Sequence, residues 1–288
     1  MPGSTMTLFA LVVLNLLLPG ADDRRSGHSE QREAVQATLA FDDASGLKTV
    51  VIDDVFGSVE VTGSAIGEVR IAGERVVRAE TAEAEERARR EVSLDLHQSG
   101  NRAEITVNGP FRSRDGSLNW RDWEDRKYVV RYDLKVEVPE TAALVVKTVN
   151  DGHVVVRNVR GQLTVRNVNG TIDLDKIAGA VDARTVNGGI RAAFTGSPAA
   201  ACEFKTVNGD VRLSFGSDLA ADFSLKTLNG ELRSDYDVTT LPARAGQGRR
   251  ENGRYVYRSD GALNVRVGRG GPHVAMETLN GDLIVASK

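Results

Sequence analysis

Five cations stand at one offset in this chain. Lys147, Arg166, Arg184, Lys205 and Lys226 each lie three residues before a repeated Asn, and Glu277 takes the equivalent place before Asn280. If the segments that carry them stack in register, the charges form a row spaced about 5 Å apart, which mutual repulsion disfavours unless it is neutralised or used. The chemistry such a row offers is electrostatic capture of a polyanion with a repeating charge, such as teichoic acid, lipopolysaccharide phosphate or an acidic glycan. The plainer reading is a solvated row neutralised by Asp210, Glu231 and Asp282, just past the turns. A second candidate is Trp120 and Trp123, within Asn119-Trp120-Arg121-Asp122-Trp123. Rings beside Arg and Asp would stack on a sugar or anchor a protein partner, or simply cover the end or side of the fold.

Groups that would support catalysis are sparse. Asp173, Asp175 and Asp182 would make a carboxylate cluster of the kind found in β-helical polysaccharide-cleaving enzymes if their coils brought them together; otherwise they are solvated outward residues. The four histidines, His28, His97, His153 and His273, show no metal-ligand spacing and no neighbouring nucleophile pattern. Cys202 is the one cysteine, which excludes an intramolecular disulfide and a thiolate metal site, and it reads as a small buried hydrophobe. No phosphate-binding loop, nucleophile elbow or zincin motif is present. The expectation is a non-enzymatic protein without cofactor or metal. With 37 Lys and Arg against 40 Asp and Glu, the net charge of −3 argues against a generally basic nucleic-acid binder.

The elements that must position these residues come from a repeat. Gly152, Gly161, Gly170, Gly179 and Gly188 are nine residues apart, and every second rung places Asn before its glycine, so the unit is two rungs of roughly 18–21 residues. Two residues after the glycines stand Val154, Leu163, Ile172, Val181, Ile190, Val211, Leu232 and Leu283, and apolar residues also fill the fourth position after and the second before. Polar residues lie between them, so short strands alternate inward and outward. The step from the fourth position to the seventh is odd and calls for a bend or bulge. Asn-Gly between alternating strands is also the signal of a two-residue hairpin. A hairpin meander, however, does not require one residue type at one offset in every unit, whereas a parallel solenoid does. The expected fold is all-β: a parallel β-solenoid, single-stranded and β-helix-like, with one short surface helix and two loop insertions.

The rung Lys205-Thr206-Val207-Asn208-Gly209-Asp210-Val211, varied at Arg184–Ile190, Lys226–Leu232 and Glu277–Leu283, resembles the bacterial putative adhesin domain family, β-solenoid envelope proteins of unknown function. The resemblance extends to residues 50–77, where Val55, Gly57, Val59 and Val61 repeat the offsets. It implies the fold and an envelope setting, and it brings no catalytic residues.

The remaining segments complete the expected organisation. Leu8–Leu18 is an apolar run too short to span a bilayer and suited to a signal-peptide core, giving a leader over residues 1–21, with an uncleaved anchor or a misassigned start as alternatives. Residues 22–35 read as a flexible tail and 36–288 as one solenoid domain with insertions near 108–127 and 235–271. No later segment is apolar enough to cross a membrane. Residues 79–91 read as a surface helix with charge pairs at i,i+4, and Val92–Leu96 and Arg102–Val107 as strands. Within the last insertion, Gly261, Leu263 and Val265 match the rung offsets of a further coil. These features point to an exported protein, periplasmic, cell-surface or secreted, that binds a glycan, polyanion or protein. The alternative is a structural or regulatory envelope component self-associating through an open C-terminal coil at Leu283–Ala286; a carbohydrate-active enzyme is the third reading.

Overall fold

The computed structural model describes residues 29–43, 45–113, 117–118, 126–150, 152–242, 249–251, 254–256 and 261–288. The expected leader and both tryptophans, Trp120 and Trp123, lie outside these residues. The chain divides into two compact units, one ending at Asp151 and the other spanning Gly152–Lys288.

The first unit contains β1 (Ser29–Ala40), β2 (Thr49–Asp53), β3 (Val59–Ser64), β4 (Glu68–Ala79), α1 (Ala82–Glu91), β5 (Ser93–Ser99), β6 (Arg102–Asn108), β7 (Tyr128–Pro139) and β8 (Ala143–Lys147). Its strands run β1-β4-β7-β3 and β8-β2-β6-β5, with β3–β7, β2–β6 and β2–β8 parallel and the other pairs antiparallel. The tail expected over residues 22–35 is corrected in its second half. From Ser29 the chain is an edge strand paired with β4 along its whole length. Its sequence, rich in charged residues, shows no apolar period because the strand is held from the side, by the backbone ladder and by Arg32–Glu74, Arg78–Glu30 and Arg75–Glu33 ion pairs.

The surface helix forms as expected, beginning at Ala82 directly after the N-cap hydroxyl of Thr81. That hydroxyl accepts from Ala84 N at 3.1 Å. Only Ala84 and Ala88 are buried, too little apolar surface to dock α1 unaided. Arg75 supplies the rest: its guanidinium donates to the Ala88 and Val92 carbonyls, each at 3.1 Å, tying the C-terminal end of the helix to β4. The start of the 108–127 insertion is tied down too. Phe111 packs edge-on against Phe56, and Arg112 donates to the Val107 carbonyl and the Asp53 carboxylate.

One buried group in this unit is costly. Asp54 is fully buried; its Oδ1 accepts from Phe56 N at 3.2 Å, while Oδ2 has no hydrogen-bond partner. Burial pushes its carboxyl well above the ordinary value, against the opposing pull of the backbone amides.

The second unit contains β9 (Val154–Arg157), β10 (Leu163–Arg166), β11 (Ile172–Ile177), β12 (Val181–Arg184), β13 (Ile190–Phe194), β14 (Cys202–Lys205), β15 (Val211–Phe215), β16 (Ala221–Asn229), β17 (Leu232–Ser234), β18 (Val238–Thr240), β19 (Arg249–Glu251), β20 (Arg254–Val256), β21 (Leu263–Val267), β22 (His273–Asn280) and β23 (Leu283–Ser287). It is the expected parallel solenoid. One wall runs β9-β11-β13-β15-β23-β17 and the other β10-β12-β14-β22-β16, parallel throughout. Inward positions stack like on like, as in Val154, Ile172, Ile190, Val211 and Leu283, all fully buried. Phe194 and Phe215 stack at 4.8 Å between ring centroids, with Phe204 and Phe223 edge-on to them. Cys202 is buried in this core, as expected, and burial raises its thiol pKa.

The two corners of each coil differ, and this corrects one set of inward assignments. At one corner the bulge foreseen from the odd step is present: Lys176 adopts a left-handed conformation (φ 52°), the register slips between Asp175 and Ile177, and Ile177 turns inward. At the Asn-Gly corner the alternation simply continues, so Thr185, Thr206 and Thr278 face inward while Val168, Val186, Leu279 and Leu228 are exposed. Each inward hydroxyl donates to the glycine carbonyl of a neighbouring coil: Thr185 to Gly170, Thr206 to Gly188, Thr278 to Gly209 and Thr227 to Gly281, at 2.8–3.1 Å. Asn167 performs the same task toward Gly152. The glycines are required by proximity, since a Cβ on Gly188 would lie 2.1 Å from the Gly170 carbonyl oxygen.

The last coils stack out of chain order. Val211 pairs with Leu283, and Leu283 with Leu232, so β23 lies between β15 and β17 and β22 between β14 and β16. The C-terminal coil is therefore paired on both sides, not open. Leu263–Val267 is not a coil but an antiparallel strand between β16 and β18, and that reversal is what returns the chain for insertion. Charge favours the same order, because Glu277 enters between Lys205 and Lys226 and separates two cations that chain order would place side by side.

Two outcomes follow. Thr206→Val, nearly isosteric, removes the donor to the Gly188 carbonyl and should cost about 1–2 kcal/mol in denaturant unfolding. For Asp54, the unfolded chain loses its proton near the ordinary value of 3.8 while the folded chain retains it, so the contribution of Asp54 to stability falls as pH rises through that window. Asp54→Asn does not titrate; its stability relative to the parent should grow above about pH 4, at up to ~1.4 kcal/mol per pH unit. Parallel melting curves of the two proteins across pH check this.

Candidate ligand-binding faces

The outward positions of the second unit carry two charged rows, one on each wall. On the β10-side wall the expected cations do come together. Arg166 pairs in register with Arg184, and Arg184 with Lys205; Glu277 follows, and then Lys226. Lys147 lies in the first unit, exposed at the end of β8 and in register with Asp53.

The row is interleaved with acids on the same strands. Asp182 bridges Arg166 and Arg184; Glu203 accepts from Arg184 at 2.9 Å; Glu277 holds Lys205 at 2.8 Å and Lys226 at 3.6 Å. The hydrogen bond from Lys205, helped by the charge of Lys226, lowers the Glu277 pKa. The neutralising acids are thus not Asp210, Glu231 and Asp282. Asp210 and Asp282 instead accept backbone amides of the next coil at 2.8–2.9 Å, and Glu231 and Asp282 engage Arg233. Their position just past the glycine points them along the stack, whereas an acid two residues before a cation lies beside it on the same face.

On the β9-side wall a second row stands three residues after each corner glycine: Val155, Asp173, Arg191, Arg212, Ile284 and Arg233. Arg191 and Arg212 are adjacent and in register, yet no acid stands between them. Arg191 has only a 3.4 Å contact with Asp173 and is 68% exposed; Arg212 is exposed and has no ion pair among the described residues. Two shallow depressions of about 390 and 380 Å³ flank the pair. The first is bordered by Thr171, Gly189, Gly209 and Ile284 with Asp210, and the second by Ala193 and Ser214 with Asp173 and Asp175, so acids as well as the two arginines line them. The offset of these arginines from glycine is constant in the sequence, but Val155, Asp173 and Ile284 at the same offset break the charge pattern.

The carboxylate cluster is not assembled. Asp173 and Asp175 lie on β11 and Asp182 on β12, on opposite walls, and Asp182 is committed to two arginines. Of the histidines, His153 contacts the Thr171 hydroxyl at 2.9 Å; His28 lies outside the described residues. Among the described residues no three His, Cys, Asp or Glu side chains converge as metal ligands would, and no helix is long and apolar enough to cross a membrane.

Glu277→Gln should reduce stability by at most ~1 kcal/mol, because the pairs are partly exposed and salt-screened. The Glu277 pKa is depressed on folding, so its contribution is present above the ordinary value of 4.5 and lost as pH falls below it. The difference between parent and variant in urea titrations should shrink at high salt and vanish in acid.

No curated protein sequence matches the chain. Several solved structures are similar at low identity. A putative cell adhesion protein from Clostridium sporogenes has 8% identity and a TM-score of 0.43, covering 90% of this chain and 100% of its own. Putative adhesins from Bacteroides fragilis and Parabacteroides merdae have 9% and 10% identity and TM-scores of 0.34 and 0.30, each covering 88% of this chain and 97% and 96% of their own. The family profile described as Toastrack DUF4097 matches residues 41–266, which include most of both units and all the adhesin-like rungs up to Asn229-Gly230. By that match, and in keeping with its parallel coils, the chain belongs to the Toastrack DUF4097 family.

Proposed function

We propose that this chain is an exported envelope protein, periplasmic, cell-surface or secreted, that binds rather than catalyses. It presents a regular β face to an anionic glycan or another polyanion. The observation that carries this reading is the in-register Arg191–Arg212 pair, whose one ion pair among the described residues is the exposed 3.4 Å contact of Arg191 with Asp173. On the opposite wall each cation has an acid within reach, so this fold readily neutralises a register of like charges. Two arginines on neighbouring strands ~5 Å apart at the backbone, of which Arg212 has no ion pair among the described residues, favour an anionic group that bridges them by charge-assisted and bidentate hydrogen bonds. Arg166, Arg184, Lys205 and Lys226 add a screened row on the opposite wall, Lys147 adds an exposed cation in the first unit, and Trp120 and Trp123 would add stacking to a sugar.

A second reading is self-association. Its support is that Leu232 on β17 and Leu228, Val238 and Leu263 on β16, β18 and β21 are 38–72% exposed, and that β17 is paired on one edge only among the described residues.

Binding of the purified protein to anionic and neutral envelope glycans at two salt concentrations tests the first reading. Salt-sensitive binding should be lost, by about tenfold or more, in Arg191→Glu/Arg212→Glu and largely kept in Lys205→Glu/Lys226→Glu. The reverse pattern would move the ligand to the other wall. Failure to bind any anionic glycan, together with a mass that rises with concentration in sedimentation, would replace the polyanion reading with self-association.

A further inference from the structure

The Asn-Gly ladder carries a reactivity that its geometry suppresses at every rung but one. In an Asn-Gly pair the glycine backbone nitrogen can attack the asparagine Cγ, since no side chain on the glycine obstructs approach. The new N–Cγ bond forms as the Cγ–Nδ2 bond breaks; the amide proton leaves with Nδ2 as ammonia, and a cyclic imide remains. Water then opens the imide at either carbonyl, leaving aspartate or isoaspartate. The change is a hydrolysis, with no oxidant and no partner beyond water.

Five such pairs stack in the second unit in the order Asn169, Asn187, Asn208, Asn280 and Asn229. At the first four rungs the nucleophile is occupied. Gly170, Gly188, Gly209 and Gly281 each donate their backbone N–H to the asparagine carbonyl of the next coil, at 2.9 Å throughout. The electrophile is held as well. The side-chain amides of Asn187, Asn208, Asn280 and Asn229 each donate to the Oδ1 of the preceding rung at 2.8 Å, so Asn169 receives and Asn187, Asn208 and Asn280 both give and receive. Attack needs the Asn backbone to rotate out of its extended form, which at these rungs would break bonds on both sides.

At the last rung the pattern stops. Asn229 donates to Asn280, but its own Oδ1 receives nothing from a further rung, and the Gly230 N–H has no acceptor among the described residues. Asn229 and Gly230 are both exposed. We propose that Asn229-Gly230 is a built-in deamidation site, the one ladder pair that converts while the protein is folded. Conversion replaces the Nδ2 donor with a carboxylate facing the Asn280 Oδ1, so it removes the outermost side-chain bond of the ladder and adds negative charge at the open end. The inner rungs are untouched. Asn108-Gly109, in the first unit, lies off the ladder and outside the comparison.

The test is incubation of the full chain at mildly alkaline pH, followed by peptide mass spectrometry that separates asparaginyl, aspartyl and isoaspartyl forms. A parallel sample in urea gives the intrinsic reactivity of each pair. In urea the five pairs should convert at comparable rates. In the folded protein Asn229 should convert about tenfold or more faster than Asn169, Asn187, Asn208 and Asn280, which react only through local opening. Equal rates at all five rungs of the folded protein would overturn the proposal. So would an Asn229 as slow as the inner rungs while the urea sample reacts.

Discussion

Close approach of neighbouring backbones at the Asn-Gly corner is the constraint on which the second unit depends. The coils can stack at strand spacing only if the corner residue has no Cβ, because the space it would occupy belongs to the carbonyl of the previous glycine. That contact leaves the carbonyl facing inward, toward an apolar core where an unpaired acceptor is expensive. The inward Thr, or Asn167, two or three residues earlier answers it with a donor. Valine faces outward between them because strict alternation leaves it no other side. The asparagine closes the corner by bonding to its equivalents above and below. The motif therefore reads as four solutions to one steric problem, and none of its residues needs a ligand to explain it.

Register follows from this corner, and register decides the electrostatics. Once each glycine sits on the glycine below, every outward side chain meets its equivalents on neighbouring coils, and like charges are brought together whether or not that is favourable. On one wall the conflict is resolved by acids two residues before the cations, and by the insertion of Glu277 between Lys205 and Lys226. On the other wall Arg191 and Arg212 remain in register with only the 3.4 Å contact of Arg191 with Asp173 to offset them. A rigid stack makes this difference persistent, since the side chains cannot separate without parting the strands.

The first unit solves a different problem with the same materials. Its long antiparallel strands carry many ion pairs on their outer surface, while the helix is held by Arg75 more than by its own apolar face. Asp54 is a polar group that this packing does not fully satisfy.

Much of the architecture was legible in the residues. A constant offset of Val, Thr, Asn and Gly along the chain is enough to require parallel, in-register coils, and the charges three before Asn had to form a row. The short helix was marked by its formers and by the Thr81 cap. Three things were not legible, and each is a matter of contact between segments distant in sequence. The edge strand Ser29–Ala40 is specified by β4 rather than by its own pattern. The inward or outward sense of the residue before Asn depended on whether the corner bulges, which Lys176 does and Val186 does not. The order of the last coils depended on an antiparallel return by Leu263–Val267 that shares its offsets with a true coil. Sequence by itself determined which residues must stack, because a period is a local property of the chain; tertiary structure alone decided which copies are neighbours, and so which charges are neutralised and which are left open, because that is settled by backbone pairing between segments the period cannot distinguish.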